Sequence, residues 1–242
     1  MPSIAELKII ASLKSGRYRQ KYDQFVVEGR KSVIELFHSS FDVKDIYCTQ
    51  AFADAHDLPF IPTIIRDEEY NKISQMDTPP GILAVAKIRQ YGLGDLNLKE
   101  GITLALDGIS DPGNLGTMLR TADWFGVKQI VLSKDCCDFY NLKCLSATMG
   151  SFTRVLPVYT ELQEVLEKHH SAGFFMDGEN IEESDLKGPV IMVIGNESRG
   201  IREETAKRIG RRIAIPGAGN AESLNAAVAA GIGLFEAWKQ NR

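Results

Sequence analysis

The stretch that decides the reading is "IPGAGNAESLNAAVAAGIGLFEAWKQNR", residues Ile215 to Arg242. It reads as the end of a short strand, a Gly-x-Gly turn and a long helix whose first turn carries Ser223 and Asn225. Leu224, Val228, Ile232 and Phe235 fall on one helical face with Ala227 and Gly231 between them, so that face is expected to pack closely against another element. "GAGNAE" only partly matches the Gly-x-Gly-x-x-Gly fingerprint, which requires a following strand with an acidic residue ~20 positions on. The sequence stops instead. A ligand at this turn must therefore be held by strand ends that come earlier in the chain.

Those earlier strands are visible from Gly101 onward as nearly continuous apolar runs: "ITLALDGI", "VKQIVLS", "GFFMDGE", "PVIMVIGNE" and "RRIAIPG". Strands without polar alternation are covered on both faces, which predicts an α/β fold with a mainly parallel sheet and helices on both sides. The expected helices are "NLGTMLRTADWFG", "ELQEVLEKHHSAG", "IREETAKRIG" and the terminal one. The first half also alternates strands ("FVVEG", "VKDIYCT", "PTIIR", "GILAVAKIR") with helices ("RKSVIELFHSS", "DEEYNKIS"). We therefore expect a small α/β domain over residues 1–90, a linker over 91–100 with few apolar residues, and a second domain over 101–242.

Composition excludes several classes. A hydrophobic share of 44% and a charged share of 25% are those of a globular protein. No run approaches the ~18 apolar residues of a membrane span. The N-terminus lacks the apolar core of a secretory signal, so a cytoplasmic location and reduced cysteines are expected. A net charge of −4 argues against indiscriminate coating of nucleic acid but permits a local basic patch. Such a patch is present in "KSGRYRQKYDQ", where Lys14, Arg17, Arg19 and Lys21 surround Tyr18 and Tyr22. Cys136, Cys137 and Cys144 form no Cys-x-x-Cys pair and have no nearby histidine, so no metal site is expected. His169 and His170 are read as dipole partners at the end of a helix.

Ligands of open α/β sheets bind beyond the carboxyl ends of the strands. After "LALDGI", the turn Asp111-Pro112-Gly113 leads to Asn114, read as a helix cap, and to Arg120 two turns later. A helix N-terminus beside a guanidinium holds an anion such as phosphate; the alternative is a plain cap and a surface charge. After "VIMVI", Gly195 admits a ligand close to the backbone and Glu197 stands where a buried strand emerges; the alternative is an ordinary strand-to-helix turn. Ser223 and Asn225 form the third group.

Taken in order, the three segments resemble the motifs of the SpoU (TrmH-like) family of RNA ribose 2′-O-methyltransferases in the SPOUT superfamily. "NLGTMLRTA" is similar to its first motif, "VIGNESRGI" to its second and "IPGAGNAESLNAAVAAGIGLFE" to its third. "FVVEGRKSVIEL" resembles the N-terminal substrate-binding domain that many members carry. The resemblance implies a C-terminal trefoil knot, an exception to the rule that chains do not thread loops. It also implies S-adenosyl-L-methionine as methyl donor, held largely through the main chain of Gly195, Ile215 and Leu224. Arg120 would bind the ribose-phosphate of the substrate, and Asn114, Glu197, Ser223 and Asn225 would complete a polar pocket. The same resemblance implies a homodimer with its active site near the subunit interface. The RNA substrate, ribosomal or transfer RNA with the accessory domain favouring ribosomal, would be gripped by Lys14, Arg17, Arg19, Lys21, Arg30 and Lys31; the alternative is a solvated charged loop. Gly217 departs from the methionine usual after Ile-Pro, and Ala226 and Ala227 replace larger residues of the third motif. The competing classes are a non-catalytic RNA-binding protein, which needs no Arg120, and a nucleotide-dependent oxidoreductase, which needs the rest of the dinucleotide fingerprint.

Overall fold

The computed structural model of the protein describes residues 2–242. The chain divides into two compact units: the chain up to Arg89 together with Asp138–Thr153, and Gln90–Cys137 together with Arg154–Arg242.

The first unit contains α1 (Ile4–Ser12), α2 (Gly16–Tyr22), β1 (Gln24–Glu28), α3 (Arg30–Phe37), β2 (Val43–Cys48), α4 (Gln50–Ala55), β3 (Thr63–Ile64), α5 (Asp67–Ile73) and β4 (Ile82–Lys87). Its strands form one sheet in the order β1-β4-β2-β3. Successive residues of β1 alternate faces. Val26 joins Ile10, Leu13, Tyr47, Tyr70, Ile73, Leu83 and Val85 in one core. Glu28 is buried and accepts hydrogen bonds from the Gln75 N–H (2.6 Å) and the Ser74 hydroxyl (2.7 Å). Burial nevertheless pushes its carboxyl above the ordinary value, because lost hydration outweighs those bonds.

The other face of β1 explains where Asp138–Thr153 belongs. The expected second domain ran without interruption from residue 101; this segment packs instead in the first unit. Phe25 lies 4.6 Å from Tyr140 and 6.3 Å from Phe152, centroid to centroid, and Phe41 is 6.1 Å from Phe152. The Tyr140 hydroxyl donates to the Arg89 carbonyl (2.9 Å) and accepts from its N–H (3.1 Å). Within this segment α7 (Leu142–Thr148) buries Cys144 and Leu145.

The second unit carries a six-stranded sheet in the order β10-β8-β9-β5-β6-β7, parallel at every neighbouring pair. Its strands are β5 (Ile102–Asp107), β6 (Gln129–Leu132), β7 (Leu156–Tyr159), β8 (Ser171–Asn180), β9 (Val190–Gly195) and β10 (Arg211–Ala214). The helices are α6 (Pro112–Trp124), α8 (Gln163–Leu166), α9 (Glu203–Ala206) and α10 (Ala226–Gln240). Central β5, β6 and β9 are buried along nearly their whole length, as continuous apolar runs require. The expected helices around residues 161–173 and 201–210 shrink to the single turns α8 and α9. β7 and α7 are elements the sequence pattern did not mark. Residues expected to be a linker pack with this unit: Leu96 and Leu98 lie on its core, and Asn97 exchanges two hydrogen bonds with the Gln129 side chain (2.9 and 2.8 Å).

α10 corrects the expected packing face. Ala226, Ala227, Ala230, Gly233, Leu234 and Ala237 are buried, whereas Leu224, Val228 and Phe235 remain 46%, 50% and 49% exposed. The reason is distance. A Cβ on Gly233 would stand 2.3 Å from Phe174 Cζ and 2.8 Å from Met192 Cε, so only small residues allow the helix to reach the sheet. Among the described residues no helix is long and apolar enough to cross a membrane.

Candidate active site

The three segments singled out in the sequence all leave the carboxyl ends of parallel strands. Asp107 ends β5 in register with Gly195, which ends β9. Ile215 follows the end of β10. From β5 the chain turns into α6, whose N-cap is Asp111: its carboxylate accepts from the Asn114 N–H at 2.9 Å, and Pro112 occupies a first-turn position where no backbone donor is needed. Asn114 is therefore not the cap, and its side chain is free for another purpose.

That purpose is a directional chain of amides. Asn114 Nδ2 donates to Glu197 Oε1 at 2.5 Å, and Asn114 Oδ1 accepts from Asn225 Nδ2 at 3.2 Å. Asn225 Oδ1 in turn caps α10, accepting from the N–H groups of Ala227 (2.9 Å) and Val228 (3.4 Å). A carboxylate only accepts, so Asn114 must present its amino group to Glu197 and its carbonyl to Asn225. Asn114 thus joins one residue from each of the other two segments, and the positive end of α10 is linked to the Glu197 charge through two polarised amides.

The loop after β9 is held with equal care. A Cβ on Gly195 would lie 2.3 Å from both Gly200 C and Ile201 N, so the glycine admits the chain's own returning backbone. Asn196 and Gly200 exchange backbone hydrogen bonds (3.1 and 2.8 Å), and Asn196 Nδ2 donates to the Gly108 carbonyl at 2.8 Å. Arg202 grips Asp107, which is 1% exposed: Nη2 and Nε reach Oδ1 at 2.6 and 2.7 Å, and the backbone N–H reaches Oδ2 at 2.9 Å. The Ser133 hydroxyl donates to Asp135 and holds its carboxyl below the ordinary value. Asp107, Asn196 and Arg202 were missed in the sequence; the only signal was a lone acid ending an apolar strand, in "LALDGI".

Arg120 is exposed on α6 without an ion pair or hydrogen bond among the described residues. Ser223 and Leu224 belong to residues 216–224, exposed throughout, which make no hydrogen bond to the rest of the described chain. Gly195 and Ile215 thus stand at the carboxyl ends of their strands, and Arg120 and Ser223 stand apart from the amide chain. The main-chain groups of 216–224 face solvent and are open to a ligand held by backbone.

In the first unit, Lys14, Arg17, Lys21, Arg30 and Lys31 are exposed. Tyr18 stacks on Tyr22 (6.2 Å, 13° between planes), with Lys21 Nζ 5.2 Å from the Tyr22 ring centre. Arg30 Nη2 reaches the Asp57 carbonyl at 3.4 Å. Arg19 is a correction. It is 4% exposed, and its guanidinium binds Asp138 (2.6 Å) and the carbonyls of Leu13 (2.8 Å) and Lys14 (3.0 Å), which uses four of its five N–H groups and turns it away from any phosphate in solvent. Among the described residues no three His, Cys, Asp or Glu side chains gather as a metal site. His169 lies beyond α8, its Nδ1 2.8 Å from the Val165 carbonyl.

Residues 101–235 match the SpoU rRNA Methylase family. The chain belongs to the SpoU family. Residues 5–84 match the MRM3-like substrate binding domain, so both halves of this SpoU protein have counterparts. The 23S rRNA (guanosine-2′-O-)-methyltransferase RlmB of Pseudomonas aeruginosa is 37% identical over 155 residues, 60% of this chain and 62% of that one. The 23S rRNA (guanosine(2553)-2′-O)-methyltransferase RlmP of Bacillus subtilis is 28% identical over 92% of each chain. The AdoMet-bound rRNA methyltransferase of Sinorhizobium meliloti superposes with a TM-score of 0.85 at 30% identity, covering 99% of this SpoU chain and 97% of its own.

Proposed function

We propose that this SpoU protein transfers the methyl group of S-adenosyl-L-methionine to a ribose 2′-hydroxyl of ribosomal RNA. The observation that carries the proposal is the Asn225–Asn114–Glu197 chain, because it joins one residue of each family segment at the strand ends where α/β sheets bind ligands.

S-Adenosyl-L-methionine supplies an electrophilic methyl group on a sulfonium. The main chain at Gly195, Ile215 and Leu224 would hold it; for Leu224 the exposure of residues 216–224 and the lack of main-chain bonds from them to the rest of the described chain support this. Arg120 binds the ribose-phosphate through its unpaired guanidinium and turns the hydroxyl toward the cofactor. It orients and does not remove the proton, since a guanidinium stays protonated. Asn114, Glu197, Ser223 and Asn225 form the polar wall that stabilises charge developing on oxygen. The segment after β10 threads an earlier loop as a trefoil knot, and the polypeptide works in the cytoplasm on RNA held by Lys14, Arg17, Lys21, Arg30 and Lys31.

A second copy of the chain completes the enzyme. Its support is the exposed apolar residues Leu224, Val228, Ile232 and Phe235, together with Trp124, which is 84% exposed.

The test is Arg120→Ala. Methyl incorporation into ribosomal RNA falls by roughly 1,000-fold, while calorimetric affinity for S-adenosyl-L-methionine stays at the wild-type level. Retained turnover refutes the role of Arg120, and absence of heat on titrating the cofactor refutes the whole proposal. Mapping 2′-O-methyl sites in total RNA with and without the gene identifies the nucleotide.

A further inference from the structure

Both ends of the loop that presents Glu197 are tied to the same dipeptide at the end of β5. Asn196 donates to the Gly108 carbonyl at 2.8 Å, and Arg202 takes Asp107 by two side-chain nitrogens and its own backbone N–H. Gly108 is itself fixed, with φ +71° and its N–H on the Ser133 hydroxyl at 2.8 Å. Between the anchors, residues 196–200 close on themselves: Asn196 Oδ1 accepts from Ser198 N–H (2.9 Å) and Arg199 N–H (3.2 Å), and Asn196 pairs with Gly200. The loop has its own internal closure, which opens more readily once the Asp107–Arg202 anchor just beyond it is lost. What the pair adds is its placement relative to β5, and β5 leads within seven residues to Asn114.

A buried carboxylate is costly unless it is paired and hydrogen-bonded. Asp107 meets that cost with a geometry that also carries information. A guanidinium bound through two of its nitrogens fixes both distance and orientation, whereas an ammonium would fix distance alone. Arg202 also faces Asp135 and Glu204, each 3.6 Å from its Nη1, so its charge is balanced on the outer side as well. None of these groups touches Glu197.

We infer that Asp107 and Arg202 are positioning residues for the methyl transfer: by clamping the 196–201 loop to the end of β5, they set the Glu197 carboxylate onto the Asn114 amide. The inference rests on the methyltransferase reading for its consequence in turnover, but the clamp itself is a statement about the loop and is measured without activity.

The experiment uses the full chain as Arg202→Lys and Asp107→Asn, each alone and combined with Glu197→Gln. Arg202→Lys keeps the charge and the backbone bond and loses the forked contact, so it remains informative should Asp107→Asn fail to fold. Amide hydrogen exchange at Asn196 and Gly200 is expected to quicken at least about tenfold in both variants. Turnover falls roughly 100-fold, with calorimetric affinity for S-adenosyl-L-methionine at the wild-type level. In the Glu197→Gln background the same substitutions cost no further turnover, because the group they position is gone. Unchanged exchange at Asn196 and Gly200 overturns the clamp. Losses that multiply in the Glu197→Gln background overturn its action through Glu197 and leave only a contribution to stability. A wild-type chain that methylates no RNA refutes the methyltransferase reading, while the exchange rates still decide the clamp.

Discussion

Asn114 donates its side-chain amide to the carboxylate of Glu197, 83 residues further along the chain, and accepts from Asn225, 111 residues away. An asparagine offers a donor to a carboxylate and an acceptor to an amide at once, from two separate atoms held in one plane. Asn114→Asp replaces the donor with a second carboxylate against Glu197, and two like charges in contact cannot both stay ionised. Methyl incorporation is expected to fall by roughly 100-fold or more, with thermal stability close to wild type. A variant that keeps most of its turnover would separate the amide chain from catalysis.

Gly195→Ala tests the close return of the backbone. The added Cβ would meet Gly200 C and Ile201 N at 2.3 Å, and backbone atoms cannot swing aside as a flexible side chain does. We expect a loss of about 1–3 kcal/mol, typical of overpacking, seen as a lower midpoint in denaturant titration. An unshifted midpoint would mean that the 196–200 loop yields freely.

The basic residues of α2 divide into two roles. Charge reversal at Arg17 and Lys21 should weaken RNA binding and flatten its dependence on salt, because phosphate contacts are lost. Arg19→Ala acts differently. It leaves the Leu13 and Lys14 carbonyls short of a donor and should cost roughly 1–3 kcal/mol of stability. Circular dichroism melts and filter binding on the three variants distinguish the roles; an RNA-binding defect for Arg19→Ala without a lower melting point would contradict them.

Phe235→Asp places a charge in the exposed apolar stripe of α10. Scattering mass in solution should drop from two chains to one, since a desolvated unpaired charge disfavours burial. The fold of each subunit should survive, because Phe235 is half-exposed within one chain. A wild-type protein that is already monomeric ends the dimer proposal.

Glu28 gives the first unit a pH signature. Burial raises its carboxyl above the ordinary value, so the folded state holds this proton more tightly than the unfolded chain. The associated stability is fully present below the ordinary glutamate value of about 4.3 and is lost as pH rises through the raised one. Subtracting the melting curve of Glu28→Gln from that of wild type across acid to neutral pH isolates this contribution. A difference that grows with pH in favour of wild type would reverse the sign.

Much of the architecture could be read locally. The apolar runs of β5, β6, β9 and β10 and the order of the three segments pointed to a parallel sheet with its chemistry at the strand ends, and Asn114, Glu197 and Asn225 were named from those segments alone. β7 was not marked, because Leu156–Tyr159 is a short strand whose partner, β6, is distant in sequence. Nothing in "SRGIREE" singled out Arg202, because the carboxylate it binds lies 95 residues earlier.

From its amino acids alone this protein was committed to a two-part α/β architecture and to a family, because periodicity and motif chemistry are carried by neighbours along the chain. Which residues share a bond was settled only by the folded arrangement. Asp138–Thr153 completes the N-terminal core, Arg19 turns inward to Asp138, and the small side of α10 faces the sheet while its larger apolar side stays outside. Each outcome depends on what approaches from far away in the chain: a ring that needs Phe25 uncovered, a carboxylate within reach of a guanidinium, and a Phe174 that leaves space for hydrogen but not for a methyl group.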